Sequence, residues 1–249
     1  MKTVLITGSS RGIGFQLARC YAADGWFVLL NGRNEESLRQ AQVLLENEYH
    51  AGTDIFVCDL SVTGSAEKLY DSVRRKGYLP DCLINNAGVG YLERSWKIPE
   101  DRDEALVVLN DISMMTLCKL FIRDHAESGT GTIINIASTG AFQPGPYIAS
   151  YYASKSFVVS YSRALAAEAE QYGIHVCVFC PGPVDTEFYE RSGGRAPAGA
   201  MDACRAARYC YKHQSRNVVI PGLLNRAALL VPSGIKMKIV GFLKKKQLK

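Results

Sequence analysis

The sequence predicts a single α/β domain, residues 1–249, built on a doubly wound, seven-stranded parallel sheet with helices on both faces. Short apolar, β-branched segments alternate with longer segments of helical spacing, which is the pattern of repeated strand–helix–strand units. The apolar segments, such as Val4-Leu5-Ile6, do not alternate with polar residues, as expected for parallel strands buried on both faces. No linker or internal repeat divides the 249 residues.

Each element is predicted from its own segment. The apolar runs predict strands at Thr3–Thr7, Trp26–Asn31, Asp54–Cys58, Cys82–Asn85, Thr132–Ala137, Ile174–Cys180 and Asn217–Ile220. The stretches with helical spacing predict helices at Gly12–Asp24, Glu35–Tyr49, Ala66–Lys76, Asp101–Ser128 and Tyr151–Tyr172. The Gly- and Pro-rich segment from Pro181 to about Ala200 is predicted to be an irregular and mobile loop.

The positive charge of the chain is concentrated at its end. Six lysines and no acidic residue fall in 235–249, so the rest of the chain is nearly neutral although the net charge is +5. A nucleic-acid partner is therefore not expected. No apolar run approaches the about 18 residues that span a bilayer. The N-terminal apolar run ends after Ile6, too early for a signal peptide, so we expect a cytoplasmic protein.

The eight cysteines are scattered through apolar runs, as small buried side chains are. Cys177 and Cys180 form one C-x-x-C pair within a predicted strand. Residues three apart on a strand point to opposite faces, so the pair is not expected to share a metal ion. We predict no metal site.

A glycine-rich turn follows the first predicted strand directly. It reads Thr7-Gly8-Ser9-Ser10-Arg11-Gly12-Ile13-Gly14, and a helical pattern begins at once. Glycines allow a tight turn whose backbone N–H groups approach a pyrophosphate, and the helix N-terminus favours its negative charge. The turn predicts a dinucleotide site.

The same residues also match G-x-S-x-G, the nucleophile turn of α/β-hydrolases, with Ser10 as the nucleophile. That function requires an acid and then a histidine later in the chain, and strands already in place around the turn. Here Ser10 follows the first strand, and the four histidines show no partner pattern. We favour the phosphate-binding turn.

At this point the chain resembles the short-chain dehydrogenase/reductase family, in its shorter single-domain branch, over at least residues 3–186. The glycine spacing is similar to that branch's cofactor turn, and Asp59-Leu60 resembles its adenine-contacting turn. Asn85-Asn86-Ala87-Gly88 resembles the family's sheet-stabilising motif, and 181–186 resembles the segment beside the nicotinamide. The resemblance implies a Rossmann-type sheet and the following cofactor-binding residues: Gly8, Ser10, Arg11, Gly12, Ile13, Gly14, Arg33, Asp59, Leu60, Asn86, Ala87, Gly88, Tyr151, Lys155, Pro181, Gly182, Val184 and Thr186.

The resemblance also implies four catalytic residues: Asn110, Ser138, Tyr151 and Lys155. Reducing a ketone by hydride transfer requires a proton at its oxygen. A free tyrosine has a pKa of about 10, which a nearby ammonium lowers. Tyr151 and Lys155 are four apart in a predicted helix and share one face, so we expect the pKa of Tyr151 to lie nearer neutrality.

By resemblance, Lys155 also binds the nicotinamide ribose, Ser138 binds the substrate oxygen, and Asn110 holds a water that relays protons to Lys155. The adjacent Tyr152 has no lysine four positions on and is predicted to be a packing residue.

The cofactor is predicted to be NADP(H). The second strand ends in Asn31-Gly32-Arg33-Asn34, with no acid to repel a 2′-phosphate. Arg33 can pair with that phosphate, and Arg11 resembles the second basic residue of NADP-preferring relatives. The alternative is that Arg33 caps the next helix and Arg11 faces solvent.

The sequence therefore predicts an NADP(H)-dependent oxidoreductase that interconverts a hydrophobic, 3-oxoacyl- or steroid-like ketone and a secondary alcohol. Val89–Leu92, Gly140–Pro146 and Phe188–Tyr189 are expected to line the substrate site. One alternative is a non-catalytic nucleotide-binding sensor of the same fold, which would usually lose the Tyr or Lys. Another is a sugar-nucleotide epimerase or dehydratase, but those relatives are longer, with a substrate domain, and their Gly-x-x-Gly-x-x-Gly turn differs from this one.

Two partners besides the small-molecule substrate are considered. Relatives form dimers through the helix that carries the Tyr and through the long helix before it, so the resemblance implies a homodimer or homotetramer. The basic tail 235–249 either contacts an anionic membrane surface or forms a helix docked on the body or on a partner subunit, with its lysines in solvent. The docked helix is favoured.

Overall fold

The computed structural model describes residues 1–248 and has the predicted α/β architecture. Seven parallel strands form one sheet in the order β3-β2-β1-β4-β5-β6-β9, and β7 and β8 form a separate parallel pair. The strands are β1 (Thr3–Ile6), β2 (Phe27–Gly32), β3 (Thr53–Val57), β4 (Cys82–Asn85), β5 (Gly131–Ile136), β6 (Ile174–Phe179), β7 (Val184–Asp185), β8 (Met201–Asp202) and β9 (Val218–Val219). All seven predicted strands are confirmed.

Helices cover both faces of the sheet, and every predicted helix is present. They are α1 (Gly12–Ala23), α2 (Glu35–Tyr49), α3 (Ser65–Arg75), α4 (Glu100–Val107), α5 (Met114–His125), α6 (Ala149–Ala169), α7 (Phe188–Arg191), α8 (Ala203–His213), α9 (Leu223–Leu229) and α10 (Ser233–Lys245). A π-helical turn, Val108–Ser113, joins α4 to α5 in one continuous helix. The helices α7, α8 and α9 were not predicted.

Two apolar clusters form the core, one on each face of the sheet. Side chains alternate along each strand, so Leu5 belongs to one cluster whereas Val4 and Ile6 belong to the other. The same alternation separates Cys180 from Cys177, which are buried in opposite clusters. The prediction that these two cysteines point to opposite faces is confirmed.

The helix Glu100–His125 is long and apolar enough to cross a membrane, by length and composition alone. Its side chains Leu106, Leu117 and Phe121 are buried within the domain. The core helix of a domain passes the same test, because the side chains that it buries are apolar.

The segment predicted to be irregular, Pro181 to about Ala200, contains the short helix α7. Its ends are joined by the pairing of Val184 with Met201 in the β7–β8 pair. The segment therefore leaves the carboxyl edge of the main sheet and returns to it as one closed loop.

Candidate active site

A cleft of about 780 Å³ lies at the carboxyl ends of the parallel strands. It is located where the strand order reverses between β1 and β4, which is where doubly wound sheets bind their ligands. The predicted site residues that line it are Gly8, Ser10, Arg11, Gly12, Ile13, Arg33, Asp59, Leu60, Asn86, Ala87, Gly88, Ser138, Tyr151, Lys155, Pro181, Gly182, Val184 and Thr186. The remaining two, Gly14 and Asn110, lie behind the wall of the cleft.

The glycine turn is packed too tightly for side chains at two positions. Gly8 has a φ of 62°, and a Cβ there would lie 2.9 Å from the Cα of Ala87. A Cβ on Gly14 would lie 2.4 Å from both the Asn86 Nδ2 and the Gly8 carbonyl oxygen. Glycine at both positions therefore keeps the turn tight against Asn86 and Ala87. This shape fits the pyrophosphate of a dinucleotide.

Asn86 and Ala87 hold the turn in place. The Asn86 Nδ2 donates hydrogen bonds to the carbonyl oxygens of Thr7 and Gly8, each at 2.9 Å. The Thr7 hydroxyl accepts from the backbone N–H groups of Asn86 and Ala87 at 3.0 and 3.1 Å. The sheet-stabilising role that the resemblance implies for this motif agrees with these contacts.

Arg33 lies in the cleft wall beyond the end of β2. The cap of α2 is Asn34, whose side chain accepts from the Ser37 backbone N–H at 2.7 Å. Arg33 therefore does not serve as the helix cap. After the neighbouring strand β3, Asp59 Oδ1 accepts from the backbone N–H and the hydroxyl of Ser61 at 2.9 and 2.7 Å, which fixes the acidic turn beside the cleft.

Arg11 does not simply face solvent. Its guanidinium forms an ion pair with Glu187, which follows β7. The same Glu187 carboxylate oxygen accepts from Arg191 Nη2 at 3.0 Å. Arg11 therefore links the glycine turn to the opposite wall of the cleft, a role that sequence spacing did not suggest.

Tyr151 and Lys155 share one face of α6, as predicted. Lys155 is buried, and its Nζ donates a 2.8 Å hydrogen bond to the Ile136 carbonyl at the end of β5. The Nζ lies 5.7 Å from the centre of the Tyr151 ring. Ser138 follows β5 and accepts a 3.0 Å bond from the Gly140 N–H. The ends of β5 and α6 thus bring a phenol, an ammonium and a hydroxyl to one part of the cleft.

Asn110 lies in the π-helical turn and anchors the loop after β4. Its Oδ1 accepts from the Val89 N–H at 3.0 Å, and its Nδ2 donates to the Val89 carbonyl and the Ser154 hydroxyl, each at 2.9 Å. A Cβ on Gly88 would lie 3.2 Å from Asn110 Oδ1 and 3.4 Å from Lys155 Nζ. Asn110 Oδ1 and Lys155 Nζ thus both lie next to Gly88, and a water held by Asn110 stays a prediction.

Burial controls the pKa values of the central pair. The protein packed around Tyr151 raises its pKa above the ordinary value, although its hydrogen bond with Ser138 acts in the opposite direction. The expectation of a lowered pKa is wrong for this structure, because desolvation of the phenolate dominates. Burial also lowers the pKa of Lys155 to about 8, against the effect of the negative charge of Asp111. At neutral pH, Tyr151 is therefore a protonated acid beside an ammonium.

These pKa shifts predict the pH dependence of ketone reduction. An ammonium is charged below its pKa, so kcat/KM should fall as the pH rises through about 8 and Lys155 becomes neutral. The oxidation of the alcohol should instead rise with pH and level off above about 8, because it requires the scarce Tyr151 phenolate together with the Lys155 ammonium. Rates measured in both directions across this range test the assignment. The Lys155→Arg variant, which stays charged, should lack the decline. A kcat/KM for reduction by the wild type that does not change with pH would contradict the role of Lys155.

Asp111 is a residue that sequence reasoning missed. It directly follows Asn110, and burial raises its pKa to about 7, opposed by the positive charge of Lys155. Its Oδ1 is buried and has no hydrogen-bond partner within residues 1–248. The signal that could have identified Asp111 is the presence of an acidic residue within the mainly apolar stretch Val107–Met114.

The substrate side of the cleft differs in part from the prediction. Val89, Tyr91, Gly140, Phe188 and Tyr189 line it as expected. Phe142 does not supply aromatic surface to the cleft, because its side chain packs against the core. Sequence reasoning missed Arg102, Ile148, Arg191 and Lys244, which also line the cleft.

Tyr152 packs as predicted but is also part of the cleft wall. A Cβ on Gly145 would lie 2.4 Å from its ring, and one on Gly140 would lie 3.1 Å away. The ring is therefore held between two glycine-containing turns.

The hydrolase alternative has no support in the geometry. Ser10 lines the cleft, but no histidine lines it within residues 1–248. His125, His175 and His213 each have a ring nitrogen bound to a backbone carbonyl elsewhere in the fold. Within residues 1–248, no histidine in the cleft can therefore act as a general base for Ser10.

Comparisons with known proteins agree with this geometry. A family described as short chain dehydrogenase matches residues 2–195. The chain is 27% identical over 247 residues to the D-beta-hydroxybutyrate dehydrogenase of Cupriavidus necator, covering 96% of this chain and 94% of that one. It is 33% identical over 190 residues to the very-long-chain 3-oxoacyl-CoA reductase of Anas platyrhynchos, covering 74% and 60% of the two chains.

Similarity in three dimensions extends over nearly the whole chain. A short-chain dehydrogenase from Sphingobium yanoikuyae, solved in complex with NADPH, superposes with a TM-score of 0.85 at 27% identity, covering 96% of this chain and 94% of that one. The chain spans only 33% of the length of the mycobacterial oxidoreductases that it also matches.

Proposed function

Since the chain belongs to the short-chain dehydrogenase/reductase family, an oxidoreductase family that acts on CH–OH and C=O groups, we propose that it uses NADP(H) to interconvert a hydrophobic ketone and a secondary alcohol. The observation that carries the proposal is the arrangement of Ser138, Tyr151 and Lys155 in one cleft with the glycine turn. A sensor without turnover is not favoured, because the acid and its ammonium are both kept and both lie at the cleft.

The chain's own residues supply the proton chemistry. NADPH, when bound, supplies the hydride. Tyr151 is protonated at neutral pH because burial raises its pKa, so its hydroxyl can give a proton to the substrate oxygen. Ser138 can donate to the same oxygen and hold it near Tyr151. The Lys155 ammonium stabilises the phenolate that remains, since opposite charges attract strongly where water is excluded.

Two observations support NADP over NAD. Arg33 lies in the cleft wall where NAD-binding relatives of this fold place an acid, and Asn34 leaves it free of the capping role. A structurally similar dehydrogenase was solved with NADPH. The proposal is tested by comparing kcat/KM for NADPH and NADH on one ketone.

The side chains beside Tyr151 support a hydrophobic substrate. Phe188 lies 4.9 Å from Tyr151 between ring centres, and Tyr189 packs edge-on against Phe188 at 5.8 Å. Ile148 and Tyr91 also line the cleft, with the Arg102 guanidinium 4.6 Å from the centre of the Tyr91 ring. A 3-oxoacyl or oxosteroid ketone fits such walls better than a free sugar. A panel of these ketones, assayed by NADPH oxidation, identifies the class.

We also propose a homo-oligomer. Val107 and Ile112 on the helix Glu100–His125, and Phe157 on α6, are exposed apolar side chains. Phe157 stacks on Tyr161 with ring centres 5.7 Å apart. These helices are the ones through which relatives dimerise. Sedimentation velocity on the wild type and on Phe157→Glu tests this, with dissociation expected for the variant. The cytoplasmic location expected from the sequence stays a prediction.

A further inference from the structure

The C-terminal helix α10 turns an apolar stripe toward solvent. Ile235, Ile239 and Phe242 are spaced i, i+4 and i+7 and are therefore on one side of the helix. Their exposed fractions are 53%, 53% and 60%. A helix packed on a globular protein normally turns its apolar side inward. This orientation predicts that another apolar phase covers the stripe.

The opposite side of α10 rests on the two segments that flank the cleft. Lys236 Nζ donates a 3.0 Å hydrogen bond to the Phe142 carbonyl. A Cβ on Gly241 would lie 3.3 Å from the Pro146 ring. Lys244 Nζ lies 5.5 Å from the centre of the Tyr189 ring and forms part of the cleft wall. The favoured sequence-based alternative, a helix docked on the body with its lysines in solvent, is thus correct for the docking and wrong for these two lysines.

Helix α9 enlarges the exposed apolar surface. Leu223, Leu224 and Leu230, within and just after this helix, are 82%, 88% and 87% exposed. Asn225 of α9 packs closely against Gly182, which lines the cleft, since a Cβ on Gly182 would lie 2.6 Å from the Asn225 Nδ2. The apolar surface of α9 and α10 therefore belongs to the region around the cleft.

The charges around this surface are of one sign. Lys238, Lys245 and Lys246 on and after α10 are exposed, and Lys246 Nζ lies 4.2 Å from the centre of the Phe242 ring. No acidic residue follows Asp202 in the sequence. Lysines bordering an apolar stripe are the composition of helices that lie in the interface of an anionic bilayer.

We propose that α9 and α10 bind the surface of an anionic lipid membrane and hold the mouth of the catalytic cleft against it. A second copy of this chain is a poorer occupant, because a two-fold interface places the same patch on both sides. Lysines would then face lysines, with no acid from the patch to balance them. A lipid surface satisfies both the apolar stripe and the charge.

The proposal is tested by vesicle flotation of the full-length protein. The wild type should float with phosphatidylcholine vesicles that contain phosphatidylserine, less well at high salt, and weakly with phosphatidylcholine alone. The double variant Ile239→Ser/Phe242→Ser should lower the partition constant by about tenfold or more. Lys245→Glu/Lys246→Glu should lower it to a similar extent on the anionic vesicles only. Trp96→Ser is the matched control, since Trp96 is 81% exposed but lies on the short turn Ser95–Lys97, outside α9 and α10.

Two results would overturn this proposal. One is equal flotation of the wild type and the stripe variant with anionic vesicles, or no flotation of either. The other is a wild type that does not bind lipid, together with a stripe substitution that dissociates an oligomer in sedimentation velocity. That result would make the apolar stripe an interface between copies of the chain. Far-ultraviolet circular dichroism and the thermal midpoint verify that each variant is folded. Flotation and sedimentation velocity do not require turnover, so their results are independent of the proposed reaction.

Discussion

Replacing Tyr151 by Phe is expected to lower kcat for ketone reduction by about 10³-fold. The Tyr151 phenol is the proposed proton donor, and it is protonated at neutral pH because burial raises its pKa. Removing its hydroxyl leaves the ring, its contact with Phe188 and the bond from Lys155 to Ile136 in place. The binding of NADPH, measured by its fluorescence, should therefore change far less than turnover, because Tyr151 is one of many predicted cofactor contacts.

Tyr152 provides the matched control for this variant. It is adjacent on α6, lines the same cleft and is held by Gly140 and Gly145, but no lysine follows it by four positions. Tyr152→Phe should retain activity within about threefold of the wild type, because its ring rather than its hydroxyl makes these contacts. Full activity in Tyr151→Phe, or an equal loss in both variants, would remove Tyr151 from its role.

Replacing Arg33 by Ala is expected to raise KM for NADPH by about 10- to 100-fold and to leave KM for NADH nearly unchanged. A hydrogen-bonded charge pair with a phosphate contributes roughly 1.5–3 kcal/mol, which corresponds to this range. Only NADPH carries the 2′-phosphate that Arg33 would meet. Steady-state kinetics with both cofactors on one ketone measure the change.

Arg39→Ala is the control for the loss of a positive charge near the same helix. Arg39 lies on α2 and pairs with Glu35 in solvent, so its removal should not distinguish the two cofactors. A similar change in both KM values for Arg33→Ala would show that the arginine supports the fold rather than the phosphate. A wild type that prefers NADH would contradict the NADP proposal itself.

The sheet could be predicted because its strands are short and mainly apolar runs. Parallel strands buried on both faces produce such runs, as in β1 and β6, and the helices between them bury a regular stripe. The four predicted catalytic residues were identified for a different reason, since each is unremarkable alone and only their order along the chain resembles the family.

Helices α8 and α9 were missed for physical reasons that their sequences show. The buried side of α8 consists of Ala206, Ala207 and Cys210, which are too small to mark an apolar stripe. Helix α9 buries no residue, so its leucines follow no inward periodicity. Asn110 in the π-helical turn makes its side-chain hydrogen bonds with Val89 and Ser154, which lie 21 and 44 positions away in the chain.

Contacts between distant residues also explain the errors at the site. Arg11 meets Glu187 across 176 positions, so no local pattern could reveal the pair. The spacing of Tyr151 and Lys155 predicted their shared face, but not the desolvation that raises the pKa of one and lowers that of the other. Local sequence thus predicts which groups are present, whereas packing sets their charge.

The central claim is that this cleft reduces ketones with NADPH through Tyr151. The most direct test is NADPH oxidation by the purified protein against a panel of 3-oxoacyl thioesters, oxosteroids and bulky aliphatic ketones, with Tyr151→Phe assayed in parallel. The account predicts turnover of at least one hydrophobic ketone by the wild type and almost none by the variant. NADPH binding with no turnover of any ketone would contradict it and would favour a nucleotide-binding sensor.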